Sequence, residues 1–136
     1  MSLLPVAEAQ ARLLALGRRL PLKELPASAC AGRWLARDIL SLRDQPWADL
    51  SAMDGYAIRA AEWPGPWRVT AESTAGGALP PSLAPGESCR IFTGAPLPPG
   101  ADTILIQEDA DLSNGLVHPR GPALPRRRNV RPAASD

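Results

Sequence analysis

Residues 91–106 of the chain read IFTGAPLPPGADTILI and fix its structural class. The two ends of this stretch, 91–92 and 103–106, consist of Ile, Leu, Phe and Thr, which favour strands. Between them lie three prolines and two glycines, residues that the interiors of helices and strands tolerate poorly. The stretch therefore predicts two short strands joined by a stiff loop.

The same alternation of β-prone runs and turn residues is found on both sides of this stretch, from about residue 40 onward. Turn residues recur every eight to twelve positions. Five β-prone runs are separated in this way: 56–58, 67–70, 90–92, 103–106 and 116–117. Short strands at regular spacing predict a small sandwich or barrel. No internal repeat is visible.

The N-terminal region has helical spacing instead. Over the first twenty residues, apolar side chains recur every three or four positions, with Ser2 as a possible N-cap, Pro5 in the first turn and Gly17 as a stop. A second short helix is predicted over 29–38, with Trp34 and Leu35 on its buried side. We therefore expect an α+β chain, rich in loops, in which a short helical segment precedes a small, mainly β domain that is barrel- or sandwich-like.

Composition narrows the class of protein. The chain has 136 residues, a formal net charge of +1, 45% hydrophobic residues, 16 prolines and 11 glycines. These values argue against a disordered chain, and no apolar run is long enough for a membrane helix. The near-zero charge gives no general reason to expect nucleic-acid binding. Cys30 and Cys89 are far apart and His118 has no ligand partner nearby, so a structural zinc is not favoured. Cys89 is expected to be buried, and the chain to be reduced and cytoplasmic, without a signal peptide.

The first segment that carries candidate chemistry is residues 50–57, LSAMDGYA. By composition it is a tight turn in which Asp54 caps its own backbone and Gly55 supplies a positive φ. The alternative is that a rigid turn presents Asp54 as a carboxylate acceptor, a base or a metal contact.

The second segment is the loop that follows residues 91–92. Thr93 at the end of a strand, with Gly94 after it, would place a hydroxyl and an open backbone N–H at a ligand. The alternative is a stiff connection set by the prolines. Asp102 is expected to order this loop or to cap the following strand.

The third segment is RRRNVR, residues 126–131. In an extended chain, Arg126 and Arg128 would share one face and Arg127 would lie on the other. Such a run is usually a solvated basic linker. It would also suit a phosphate or another tetrahedral oxyanion, because arginine donates in a fork. RNA binding is a weaker third alternative.

Together these segments resemble the signatures of the MoeA/gephyrin family, the molybdopterin molybdenumtransferases. Residues 51–57 and 91–102 match two long family motifs and their separation, and GRWLARDI at 32–39 matches a shorter one. Residues 129–131 are similar to the start of a further motif, which departs from the family pattern at Ala134, where the family has Gly, and at Ser135.

The resemblance implies an organisation in domains. Residues 1–44 would be the helical part of domain I, 45–125 the β-rich domain II, and 126–136 an arginine-rich connector leading back to domain I. Family members are about three times longer, and their third domain holds the pterin nucleotide. The chain is therefore expected to be a fragment that supplies part of the active cleft and is inactive alone.

The resemblance also implies a function. The family inserts molybdate into adenylylated molybdopterin during molybdenum cofactor biosynthesis, with a requirement for Mg²⁺, and its members are homodimers. Neither Mg²⁺ nor molybdate is expected to bind this fragment tightly, no metal ligands are assigned, and no membrane or nucleic-acid partner is expected. Matching positions make Asp54, Thr93 and Asp136 candidate catalytic residues; candidate substrate-binding residues are Ser51, Gly94, Arg128 and Arg131. The alternative function is a stand-alone β-domain that acts as a binding or scaffold module without catalysis.

Overall fold

The computed structural model describes residues 3–136. It divides the chain into two compact units, one ending at Leu40 and one spanning Ser41–Asp136. Among the described residues, no helix is long and apolar enough to cross a membrane.

The first unit contains one α-helix, α1, at Val6–Ala15. Pro5 occupies the N-cap position, while Ser2 lies outside the described residues. The helix ends just before Gly17, whose N–H donates to the carbonyl of Leu14 at 3.1 Å. The predicted stop at Gly17 therefore marks the true end of the helix.

The second predicted helix, over 29–38, is wrong. Only a single 3₁₀ turn forms, at Ala27–Ala29, and Gly32 then adopts φ +74°, which a right-handed helix does not admit. Trp34, expected on a buried face, is fully exposed, and Leu35 is exposed as well. Because both side chains remain largely exposed to solvent, this segment lacks the tertiary packing that gives a short helix most of its stability.

The second unit holds eight strands. They are β1 (Leu50–Ser51), β2 (Gly55–Ile58), β3 (Trp67–Ser73), β4 (Glu87–Ile91), β5 (Thr103–Ile106), β6 (Ala110–Ser113), β7 (Leu116–Pro119) and β8 (Val130–Arg131). Each of the five predicted runs corresponds to one of the strands β2, β3, β4, β5 and β7. The α+β class is confirmed.

Six of these strands form one sheet, in the order β5-β2-β4-β3-β7-β6. Its two edge strands, β5 and β6, are consecutive in the chain and are joined only by the 3₁₀ turn Gln107–Asp109. In a flat sheet, five inter-strand spacings would separate the edges by about 24 Å, whereas three residues span at most about 14 Å. The sheet must therefore curl, which makes the domain barrel-like rather than a sandwich.

Both faces of β2 are buried, because side chains alternate between the two sides of a strand. Ala57 packs in a cluster with Cys89, Ile91 and Ile104. Tyr56 and Ile58 pack on the opposite side, in a cluster completed by Trp67, Leu105 and Val117. The expectation that Cys89 is a buried apolar residue is confirmed, and burial, with the nearby charge of Glu72, raises the pKa of its thiol to about 11.

The last segment of the chain returns to the first strand of the second unit. β8 pairs with β1 in a small antiparallel sheet, with Ser51 opposite Val130. The turn before β8 covers the outer edge of β5: the N–H of Ile104 donates to the carbonyl of Arg128, and the side-chain amide of Asn129 donates to the carbonyl of Ile104, both at 3.0 Å. Residues 126–131 therefore lie beside the loop that contains Asp54.

Candidate functional site

Asp54 and Thr93 meet at the ends of two adjacent strands. Asp54 immediately precedes β2, and Thr93 follows β4 by two positions; these strands pair with Gly55 opposite Ile91. Oδ1 of Asp54 accepts from both the N–H and the hydroxyl of Thr93, each at 2.7 Å. Two segments that are 39 residues apart are thus joined through one carboxylate oxygen.

The carboxylate of Asp54 is held ionised. The hydroxyl and the N–H of Thr93, helped by the charge of Arg90, keep the pKa of Asp54 below its usual value. Asp54 is partly exposed, and its Oδ2 accepts no hydrogen bond from residues 3–136. One carboxylate oxygen is therefore fixed while the other remains available to a water, a cation or a polar ligand.

The prediction that Asp54 caps its own turn is wrong. The turn is capped by Ser51 instead: its hydroxyl donates to the carbonyl of Met53 at 2.5 Å and accepts from the N–H of Met53 at 3.3 Å. Because Ser51 performs this local task, the Asp54 side chain is free to reach the loop at Thr93.

Gly55 does not have the positive φ predicted for it. It begins β2, and a Cβ placed there would lie 2.1 Å from the carbonyl oxygen of Leu105 on the neighbouring strand. Glycine is required by this close approach of two backbones, which fixes the strand that carries Asp54 against β5.

The loop at Gly94 makes internal hydrogen bonds. The N–H of Gly94 donates to the carbonyl of Ser51 at 2.8 Å, and the N–H of Ser51 donates to the carbonyl of Ala95 at 2.9 Å. The open N–H expected at Gly94 is thus engaged in this structure. Gly94 adopts φ +80°, so its conformational freedom is used to turn the chain after Thr93.

The arginine run is a turn rather than the extended segment that we expected. Arg127 and Asn129 have φ values of +70° and +60°. Arg126 forms an ion pair with Asp102 at 3.1 Å, and Arg127 forms one with Asp49. The side chain of Asp102 ties the end of its loop to the turn after β2, because its Oδ1 accepts from the N–H of Ala60 at 2.9 Å.

Two further arginines differ in their pairing. Arg128 is exposed, and its side chain makes no hydrogen bond or ion pair among residues 3–136. Arg131 forms an ion pair with Asp136, which holds the pKa of that carboxyl below its usual value. The N–H of Asp136 donates to the carbonyl of Gln45 at 3.0 Å, so the end of the chain is tied to the segment before β1.

The structure thus brings the candidate residues together in pairs. Asp54 contacts Thr93, and Ser51 contacts Gly94. The pairing of β1 with β8 places the 129–131 segment beside residues 50–52. No group of three or more side chains suited to a metal ion occurs in the part of the chain that the structure describes.

Sequence reasoning missed Arg90 and Gln107. The Nη1 of Arg90 donates to the carbonyl of Gly55 at 3.0 Å, and its Nη2 donates to Oε1 of Gln107 at 2.7 Å. Gln107, with Glu108, falls where the resembling family has these residues, but no role was assigned to it. For Arg90 the sequence signal was its spacing from Phe92 on one face of a strand, which lets a cation lie against an aromatic ring.

Comparison with known proteins gives one family. A family model described as MoeA N-terminal region (domain I and II) matches residues 4–136. A molybdopterin molybdenumtransferase from Nostoc sp. is 44% identical over 96 residues, which cover 65% of this chain and 22% of the relative. A molybdopterin molybdenumtransferase 2 from Mycobacterium tuberculosis is 35% identical over 108 residues, which cover 74% of this chain and 27% of the relative.

Two solved structures are similar over most of the chain. Both are molybdopterin biosynthesis moeA proteins from Pyrococcus horikoshii, with TM-scores of 0.70 and 0.69 and identities of 29% and 27%. The matches cover 98% and 84% of this chain but only 36% and 32% of the solved chains. The chain thus spans about a quarter of the length of the curated relatives cited above.

Proposed function

Because the chain belongs to the MoeA family, as its N-terminal region covering domains I and II, we propose that it supplies one wall of the active cleft of a molybdopterin molybdenumtransferase. The reaction would be the insertion of molybdate into adenylylated molybdopterin, with release of AMP. The remaining wall, with the binding site for the pterin nucleotide, would come from domains outside this chain. The observation that carries the proposal is the ionised Asp54, fixed by Thr93 through one oxygen only.

Asp54 would position a water at the phosphoanhydride of the adenylate through its free Oδ2. A carboxylate whose pKa is lowered is a weak base, so its contribution would be to orient the water rather than to remove a proton fully. Thr93 would keep the carboxylate in place, since its hydroxyl hydrogen is already donated to Asp54. Donation by Thr93 to a substrate oxygen would require that bond to open first.

Mg²⁺ fits this arrangement as a cation held by few protein ligands. Mg²⁺ commonly binds through one or two carboxylates, several waters and substrate phosphates, so no dedicated cluster is needed. Of the residues described, Asp54 offers a free carboxylate oxygen for it. When bound, the ion would neutralise charge that develops on the phosphoanhydride oxygens.

Arginines of the 126–131 turn would bind the anionic substrates. Arg128 has free donors, and arginine suits phosphate and molybdate oxygens because it can donate two parallel hydrogen bonds. Arg131 would serve the same purpose once a substrate anion competes with Asp136 for its guanidinium. Asp136 would then do the same work as Asp54 from the other side of the site. Ser51 and Gly94 would line the substrate site between these groups. Homodimerisation would supply the remaining domains from a partner subunit.

The test is the release of AMP from adenylylated molybdopterin by the longer protein that contains this region. Asp54→Asn removes the charge and keeps the size of the side chain, and we expect turnover to fall by about 100-fold or more. Asp111→Asn is the matched control. Asp111 lies on β6 of the same sheet and is an ionised carboxylate paired with Arg120. Turnover in Asp54→Asn equal to that of the control would contradict the proposal.

The same contact also supports the alternative of a binding module. Hydrogen bonds between Asp54 and Thr93 join two loops, which is what a purely structural carboxylate would do. If Asp54→Asn lowers the stability of the chain without changing turnover, the structural role is the correct one and the scaffold function moves to first place.

A further inference from the structure

Arg90 lies in an unusual setting for a charged residue on a strand. Its guanidinium carbon is 4.8 Å from the centroid of the Phe92 ring and 5.2 Å from that of the Tyr56 ring. Phe92 follows on the same side of the chain as Arg90, and Tyr56 is its partner across β2 and β4. Contacts with two aromatic rings hold the guanidinium of Arg90 in place in a partly buried position.

The hydrogen bonds of Arg90 are directed at the backbone that carries Asp54. One terminal nitrogen donates to the carbonyl of Gly55, the residue that follows Asp54. The other donates to the side chain of Gln107, whose own backbone N–H donates to the carbonyl of Asp54 at 3.1 Å. The carbonyls on both sides of the Asp54–Gly55 junction are thus held by a single Arg90–Gln107 unit.

Gly55 is also fixed from the opposite direction. The close approach of the Leu105 carbonyl leaves no room for a Cβ there, so the backbone at this point cannot shift toward β5. The Asp54 side chain is then oriented by Thr93, while its backbone is fixed by Arg90, Gln107 and Leu105. The carboxylate is preorganised by contacts that leave Oδ2 free.

We propose that Arg90 is a positioning residue for Asp54, which acts by holding the Gly55 carbonyl and the Gln107 side chain in a fixed arrangement. Its catalytic consequence rests on the function proposed above, whereas its effect on the Asp54 carboxylate does not. Lysine cannot replace it, because an ammonium group lacks the planar fork that reaches two acceptors while lying against aromatic rings.

The experiment measures Asp54 directly. In this chain, the Asp54 carboxyl carbon is titrated by NMR in the wild type, Arg90→Lys, Arg90→Met and Gln107→Ala, and the amide of Thr93 is followed in the same spectra. We expect both Arg90 variants to raise the pKa of Asp54 toward its ordinary value and to shift the Thr93 amide. Gln107→Ala, which changes an exposed side chain, should raise the pKa of Asp54 and shift the Thr93 amide by smaller amounts. Arg68→Met is the matched control, because Arg68 is an exposed arginine on β3.

Each result has a distinct meaning. If Arg90→Lys retains the wild-type Asp54 titration while Arg90→Met does not, charge alone is responsible and the positioning role is overturned. If every variant lowers thermal stability but leaves Asp54 and Thr93 unchanged, Arg90 is merely structural and the proposal is likewise overturned. Gln107→Ala decides the question if the Arg90 variants do not fold.

Kinetics of the longer protein separate this proposal from the function itself. We expect Arg90→Lys to lower kcat about 10- to 100-fold, the effect of a small misplacement of a reacting group, with KM little changed. An increase in KM with kcat unchanged would mean that Arg90 binds substrate directly, which contradicts a positioning role. If Asp54→Asn has no effect on turnover, the proposed function fails, and the NMR result for Arg90 stands or falls independently.

Discussion

The carboxylate of Asp54 accepts two hydrogen bonds from one residue, Thr93, and both reach the same oxygen at 2.7 Å. The two donors differ in kind, one being a backbone N–H and the other a hydroxyl. The contact therefore depends both on the course of the loop after β4 and on the identity of the side chain at position 93. This dependence can be tested one donor at a time.

Thr93→Val removes the hydroxyl donor and keeps the shape and the backbone N–H. Because the Thr93 hydroxyl is the strongest influence that lowers the pKa of Asp54, we expect this pKa to rise toward its ordinary value in the variant. Titration of the Asp54 carboxyl carbon by NMR measures the change. Thr70→Val, at an exposed position of β3, is the control. An unchanged Asp54 titration in Thr93→Val would show that the hydroxyl does not donate to Asp54.

Gly55→Ala tests the close approach of β2 and β5. The added Cβ would meet the Leu105 carbonyl oxygen at 2.1 Å, so one of the two strands must move. We expect a loss of about 3 kcal/mol in the free energy of unfolding, measured by urea denaturation. Gly76→Ala is the control: its Cβ meets nothing within 4 Å, and only its φ of +74° is unfavourable, at about 1 kcal/mol. Equal losses in the two variants would contradict the clash.

The contrast between these two glycines shows where sequence reasoning stops. The composition of residues 50–57 predicts a turn, and a turn forms, but the reason for Gly55 lies in a strand that begins 48 positions later, at Thr103. The strands themselves were predictable, because β-branched and aromatic runs separated by Pro and Gly are local signals. Their order and register are not local, and the Asp54–Thr93 contact depends on them.

The helix predicted over 29–38 is the opposite case, because a local pattern was present and the element did not form. Apolar residues at Trp34 and Leu35 fit a helix by spacing, yet the segment is not helical and both side chains are exposed. A short helix gains most of its stability from packing its apolar face, and the exposure of both side chains shows that this segment gains little of it. Family motifs identified Asp54, Thr93 and Asp136 as candidates, but they did not reveal Arg90, whose contacts with Tyr56 and Gly55 depend on the register of β2 against β4.

Acidification tests the ion pair between Asp49 and Arg127, which joins two segments of the second unit. Hydrogen bonds from Arg127, with one from the N–H of Ala133, hold the pKa of Asp49 below its usual value, so its contribution to stability is complete above about pH 4. That contribution is lost as the pH falls through the lowered pKa of the folded state, where the folded carboxylate must take up a proton.

Asp49→Asn should therefore reduce stability near neutral pH by about 1 kcal/mol and make the loss on acidification smaller. Urea unfolding at a series of pH values, compared with Asp44→Asn at an exposed position, measures both effects. If the acid dependence of Asp49→Asn equals that of the wild type, the Asp49–Arg127 ion pair does not contribute.

Ala134→Gly tests the departure from the family motif at the end of the chain. Ala134 has φ +56°, a left-handed conformation that costs an L-residue about 1–2 kcal/mol, and its N–H donates to the carbonyl of Pro46 at 3.0 Å. Glycine removes that cost, while the greater freedom of the unfolded chain offsets about 0.5–1 kcal/mol of the gain. We expect a net increase of about 0.5 kcal/mol in the free energy of unfolding, with slower exchange of the Asp136 amide, which donates to Gln45. Ala133→Gly is the matched control, because Ala133 has no positive φ and should only lose stability. A loss of the same size at both positions would show that the left-handed turn before Asp136 does not form, and with it the tie that holds Asp136 against the segment preceding β1.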